Sequence, residues 1–195
     1  VSGHAIRVAG AALAIALFAG CAAGPAPAST SEPSRGSGAP AAPDSTACPT
    51  FGVRLELASD RLVDVALAGG PDSDRATFRF GARSPGPSAA DGAAEAILGA
   101  TTPPFSQAAT GSAFDVSGSR FAEIRFIGMT LADAAGGATF VGPRDTETEF
   151  AALRQLTVYE EGSGVIAWVI GIDGGGCVTL APMADGSLVL DVAHR

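Results

Sequence analysis

Glu160 and Glu161, directly after Tyr159, form the strongest carboxylate pair in this sequence. Glycoside hydrolysis needs two carboxyls about 5–10 Å apart across a cleft. Neighbours on a strand point to opposite faces, so this pair alone cannot flank a substrate. A solvated strand end leading into Gly162 is the simpler reading. Asp145, Glu147 and Glu149 alternate with uncharged residues. They could hold a cation, or form a charged loop that holds nothing. A Ser–His or Cys–His site needs a histidine beside its nucleophile. His4 lies near the start of the chain and His194 is next to its last residue, where ends fray. Zinc chemistry needs clustered ligands, and no His or Cys stands at ligand spacing from another. Gly174 to Gly176 is not followed by the Lys-Ser/Thr of a phosphate loop and reads as a hairpin loop. The residues therefore predict no catalytic site, no metal site and no cofactor. Two residues are nominated for ligand contact. Arg125, beside Glu123 on one strand, could grip a ligand carboxylate in the two-pronged fit of a guanidinium, or simply form a surface ion pair. Phe105, next to Pro103-Pro104, is either a partly exposed aromatic or a loop plug.

The three cysteines carry more specific chemistry. Cys21 closes the run Leu17 to Cys21, LFAGC, which resembles the lipobox of bacterial lipoproteins. Small residues let a peptidase reach the backbone, and the thiolate of the cysteine accepts the lipid. Phe18 stands where that pattern usually has Leu. Before it come Arg7 and an uncharged stretch from Val8 to Ala19, about a dozen residues, within the range of a signal-peptide core. A membrane-spanning helix needs roughly 20. The expectation is a signal peptide over residues 1–20, cleavage before Cys21 and acylation there, palmitate among the usual chains. Two or more acyl chains hold a protein stably on a membrane, here on the extracytoplasmic face. Outside the membrane a lone pair of cysteines is usually oxidised, so Cys48 and Cys177 are expected to form a disulfide rather than free thiols.

Residues 21–47 begin at the lipidated cysteine and are then mostly Ala, Pro, Ser, Gly and Thr. Such a stretch has too little apolar bulk to fold. It reads as a tether with a root-mean-square reach of roughly 25–30 Å. Residues 48–195 are long enough for one domain with a substantial core. The net charge is −8, and all 12 basic residues are Arg, without a basic cluster. Binding to nucleic acid or attraction to anionic lipid is disfavoured.

The elements that must position these residues read as strands. Alternation of apolar and polar residues marks Val53 to Leu57, Leu62 to Leu67 and Arg75 to Phe80. In the third, Ala76, Phe78 and Phe80 face one way, and Thr77 and Arg79 the other. Phe114 to Val116 is short. Phe121 to Met129 puts Ile124 and Phe126 opposite Glu123 and Arg125. Leu156 to Glu160 follows. Val165 to Ile172 is apolar throughout, as in a central strand buried on both faces. Its Trp168 reads as core, with Ile166 and Ile170, ahead of a sugar platform. Cys177 to Leu180 and Leu188 to Val192 close the set, joined by an Asp185-Gly186 turn. Ala89 to Leu98 reads as a short helix or as loop, and Thr148 to Arg154 as holding one helical turn. Many strands and few helices predict an all-β fold, a β-sandwich or a related antiparallel one.

Three segments in order resemble AMIN-like domains of actinobacterial lipoproteins. SDRATFRF, Ser73 to Phe80, is similar to their HDRVVFEF. YEEGSGVIAWVIGID, Tyr159 to Asp173, is similar to gDFEGvvtWviGl. SLVLDVAH, Ser187 to His194, is similar to RLVVDVaH. The resemblance covers roughly Leu62 to His194. Ser187 stands in place of the family's Arg, Ser163 falls where the family has Phe-Glu, and Gly81 to Gln107 aligns poorly. The resemblance implies a β-sandwich module of the cell envelope. AMIN domains are attached to cell-wall amidases and secretin-type proteins, localise their hosts and are associated with peptidoglycan. The expected function is a non-catalytic binding module for peptidoglycan or another envelope glycan. The alternative is a protein–protein adaptor in an envelope complex.

Overall fold

The computed structural model describes Cys48 and residues 51–84 and 93–194. Cys21 and the segments read from sequence as signal peptide and tether lie outside the described residues.

The fold is all-β, with no helix among the described residues. A six-stranded antiparallel sheet has the order β1 (Val53–Leu57), β4 (Ala94–Thr101), β7 (Arg120–Ile127), β10 (Val165–Ile172), β9 (Leu153–Gly162), β8 (Asp145–Glu147). A four-stranded sheet has the order β11 (Val178–Pro182), β12 (Leu188–Ala193), β3 (Ser73–Phe80), β2 (Leu62–Gly69). A small hairpin pairs β5 (Phe105–Ser106) with β6 (Ala113–Phe114). The two large sheets pack face to face. Phe78 of the smaller sheet meets Phe126 and Trp168 of the larger edge to face, at centroid separations of 5.0 and 5.6 Å. Edge-to-face pairing sets the positive rim of one ring against the negative face of the next. The β-sandwich is thus the fold the alternating pattern predicts.

β10 occupies the span read from sequence and lies inside its sheet, between β7 and β9. Ile166, Trp168, Ile170 and Ile172 enter the core. Trp168 is fully buried, and Phe140 closes over it from the β7–β8 connection. Its Nε1 has no acceptor. Gly171 has a separate task. A Cβ there would lie 1.8 Å from the Ser117 carbonyl, so only glycine lets the chain before β7 cross this strand. Gly176 is as tight: a Cβ would meet the Ala193 carbonyl at 1.6 Å.

Several local expectations are corrected. The helix-or-loop segment Ala89 to Leu98 enters β4 at Ala94, while residues 85–92 are outside the described residues. Ala94, Ala96 and Leu98 alternate into the core, and Glu95 reaches Arg54 at 2.5 Å on the outer side. Alanine and glutamate favour helix intrinsically, but pairing with β1 and β7 overrides that weak preference. Thr148 to Arg154 holds no helical turn. It is a loop closed by the Thr148 amide donating to the Arg154 carbonyl at 2.8 Å, and it leads into β9. The short strand read at Phe114 to Val116 is instead Ala113–Phe114, in the small hairpin.

His194 does not fray. Its Nε2 lies 2.9 Å from the buried carboxylate of Asp74, its Nδ1 3.2 Å from the Pro71 carbonyl, and its amide donates to Asp72 O at 2.8 Å.

Cys48 and Cys177 are bonded, with a Cα separation of 5.0 Å and a sequence separation of 129. The bond ties the segment before β1 to the start of β11. Closing so long a loop restricts the unfolded chain. Reduction, or Cys48→Ser, should lower the unfolding free energy by about 2–4 kcal/mol. Urea unfolding with and without a reductant reads this directly, and coincident midpoints would contradict it.

Candidate functional site

The outer face of the six-stranded sheet carries a polar cluster centred on Arg125. The pleat turns Glu123 and Arg125 of β7 outward while Ala122, Ile124 and Phe126 enter the core. Arg125 sits opposite Ala167 of β10, and Ala167 opposite Glu160 of β9. Because the intervening side chain is only a methyl group, the guanidinium reaches across β10. Its Nη2 donates to Glu160 Oε2 at 2.7 Å. Its Nη1 donates to Glu123 Oε1 at 3.3 Å and to the Tyr159 hydroxyl at 3.2 Å.

Tyr159 arrives by a break in regularity. The register of β9 on β10 shifts between Ala167/Glu160 and Trp168/Val158, which leaves Tyr159 as the extra residue of a bulge. A bulge re-aims a side chain. Here Tyr159 joins Glu160 on the outer face, and its hydroxyl donates to Glu123. Burial, reinforced by the Glu123 carboxylate, raises the phenol's pKa well above its usual value, so it stays protonated at neutral pH. Burial alone would lower the pKa of Arg125. The carboxylates of Glu160 and Glu123 outweigh that and raise it, so the guanidinium stays charged.

Glu161, the other member of the sequence pair, turns away from its neighbour. Both its oxygens take hydrogen bonds from Arg144, at 2.6 and 2.8 Å. That hydrogen bonding raises the Arg144 pKa further. The Arg144 guanidinium also lies 5.7 Å from the centre of the Phe140 ring. The two glutamates therefore serve different arginines, as strand geometry predicts.

Two open depressions flank Tyr159. One, of about 340 Å³, lies between the β5–β6 hairpin and β8–β9 and is lined by Phe114, Asp115, Arg144, Asp145, Tyr159 and Glu161 among others. The second, of about 190 Å³, is lined by Thr101, Pro104, Phe105, Glu123, Tyr159 and Val169.

Comparison with protein-family models, with curated proteins and with solved structures finds no match to this chain.

The structure sorts the nominated residues clearly. Arg125 is where the pattern puts it, on the polar face, but its ion pairs are already made to two carboxylates. Of the two readings of Phe105, the structure selects the plug: it is 8% exposed, tilted against Phe114 and edge-on to Phe121 at centroid separations of 5.8 and 5.0 Å. It covers the outer side of the sheet near Val169. Asp145 accepts from Gln155 Nε2 at 2.8 Å and Thr157 Oγ1 at 2.7 Å. Among the described residues no three His, Cys, Asp or Glu converge as a metal site.

Sequence reasoning overlooked Tyr159, Phe114, Asp115 and Arg144. Phe114 and Asp115 lie far from Tyr159 in sequence and reach the groove only through the hairpin. The one available signal was Tyr159 itself, an aromatic directly before two acids.

Proposed function

We propose that this protein is a membrane-anchored, extracytoplasmic lipoprotein whose β-sandwich is a non-catalytic binding module of the AMIN-like kind. The outer face of its six-stranded sheet is the contact surface, and peptidoglycan or another envelope glycan is the ligand. The observation that carries this reading is the Arg125 cluster. A catalytic carboxylate pair needs substrate between its two acids. Here one guanidinium occupies the space between Glu123 and Glu160. The cluster presents fixed hydrogen-bonding groups beside shallow depressions, which suits weak, reversible binding of a polar ligand. The sequence supplies the rest of the reading: the lipobox at Cys21, the tether and the three AMIN-like segments.

The test uses the full-length chain, expressed in a bacterium with its own signal segment. Membrane fractionation and mass spectrometry of the mature N-terminus should find a lipidated Cys21, and Cys21→Ala should release the protein from the membrane. The purified chain should co-sediment with sacculi and release no muropeptide. An unlipidated wild-type N-terminus would refute the anchor. No co-sedimentation at high micromolar protein would favour the adaptor role, and released muropeptide would make the protein an enzyme.

A further inference from the structure

The depression between the β5–β6 hairpin and β8–β9 has a chemistry of its own. Two aromatic residues, Phe114 and Tyr159, line it, and both are only partly buried. Three carboxylates, Asp115, Asp145 and Glu161, line it as well. One cation, Arg144, stands against them, and Glu161 already grips it with both oxygens. Asp145 is held in place by Gln155 and Thr157, and the hairpin is held to β9 by Ala108 N donating to Tyr159 O at 2.8 Å. The lining is therefore pre-positioned, rich in acceptors and net negative.

A ligand that fits must bring hydrogen-bond donors, must offer an apolar face to the rings, and must not be an anion. Sugars have both features: C–H faces that pack on aromatic rings and a rim of hydroxyls that donate to carboxylates. Hydrogen bonds to ionised acceptors are roughly twice as strong as neutral ones. A ligand carboxylate would instead meet a wall of like charge, a juxtaposition that suppresses the wrong partner. We infer that this groove is a subsite for an uncharged, hydroxylated sugar segment, with Phe114 and Tyr159 as stacking rings and Asp115 as an acceptor. The inference rests on the glycan-binding reading above, and it assigns recognition to the sugar rather than to acidic substituents. It also moves the expected contact away from Arg125 and Phe105.

Tyr159 is the only tyrosine in the chain, so selective labelling of tyrosine makes its ring a site-specific NMR reporter. The full-length chain is titrated with a neutral probe, the tetramer of N-acetylglucosamine, and with an anionic one, a galacturonic acid tetramer. The neutral probe should shift the Tyr159 ring signals saturably at millimolar concentration or below, and the anionic probe should not. Asp115→Ala removes an exposed side chain and should weaken the neutral probe about tenfold, the loss expected for one hydrogen bond to a charged group. Asp115→Asn, which keeps an acceptor but loses the charge, should fall between the two. Arg79→Ala, on the outer face of the other sheet, should leave binding unchanged. An unshifted Tyr159 signal, equal response to both probes, or full affinity in Asp115→Ala would overturn the assignment. Sacculus binding without a Tyr159 response removes this subsite but keeps the glycan-binding reading. Absence of sacculus binding removes that reading itself.

Discussion

Replacing Trp168 with alanine is expected to lower the unfolding free energy by about 3–5 kcal/mol, the range for truncating a buried Trp. The ring is fully buried where the sheets meet and touches Phe78, Phe126 and Phe140. Its removal takes away the contact that joins the two sheets to the β7–β8 connection. A close-packed interior relaxes only partly, so a cavity adds to the lost transfer energy. Trp168→Phe should cost much less. It keeps an aromatic edge in the cluster, and it deletes an indole N–H that has no acceptor to lose. Urea unfolding followed by far-ultraviolet circular dichroism measures all three proteins, since the only tryptophan is the residue being changed. A Trp168→Ala protein with the wild-type midpoint would contradict the core assignment. If it also lost glycan binding, Trp168 would be a ligand platform instead.

Removing the carboxylate of Asp74 should be comparably damaging, at about 3–5 kcal/mol for breaking a buried charged network. Asp74 is 1% exposed. It accepts the Ala152 and Leu153 amides at 2.6 and 2.9 Å and faces His194 Nε2 at 2.9 Å. One side chain thus fastens β3 to the entry of β9 and to the residue after β12. Asp74→Ala leaves two buried amides without their acceptor. The pH dependence follows from the same contacts. Burial alone would raise the Asp74 pKa, but the two amides and His194 outweigh it and bring the pKa below 3.8. A folded-state pKa below the unfolded one means that the unfolded chain binds protons more readily. The contribution is therefore complete above about pH 4–5, and it disappears as pH falls through 3.8 toward the folded value. Asp60 adds to the same trend. Its burial is outweighed by hydrogen bonds from the Ser84 amide and the Thr130 hydroxyl. Midpoints measured from pH 7 to pH 2.5 should fall in acid for wild type and fall less for Asp74→Asn. Parallel curves would show that Asp74 is not the linked group.

The two residues were not equally visible beforehand. Trp168 announced itself, since an indole in the middle of an eight-residue apolar run has few places to go but the core. Asp74 did not. Its sequence neighbours read as an ordinary polar strand start, and its partners lie 78, 79 and 120 positions away.

The sequence alone determined the β architecture, because alternation has a period of two and is a local property of each strand. It placed β10 to the residue. It sent Ile124 and Phe126 inward and Glu123 and Arg125 outward, and it paired Cys48 with Cys177 because no other cysteine competed within the domain. Only the tertiary structure decided what the outward residues meet. Arg125 finds Glu160 because Ala167 lies between them, a matter of register across three strands. Tyr159 joins them through a bulge, which inserts one residue against a partner strand and has no meaning for a strand read by itself. β4 exists as a strand because two neighbours pair with it, although its alanines and glutamate favour a helix. The groove beside Tyr159 depends on a hairpin closed over the sheet, with Gly171 bare enough for the chain leaving that hairpin to cross. Periodicity reports the faces of single elements, whereas a site is made where elements distant in sequence are brought together, and that depends on packing the chain as a whole.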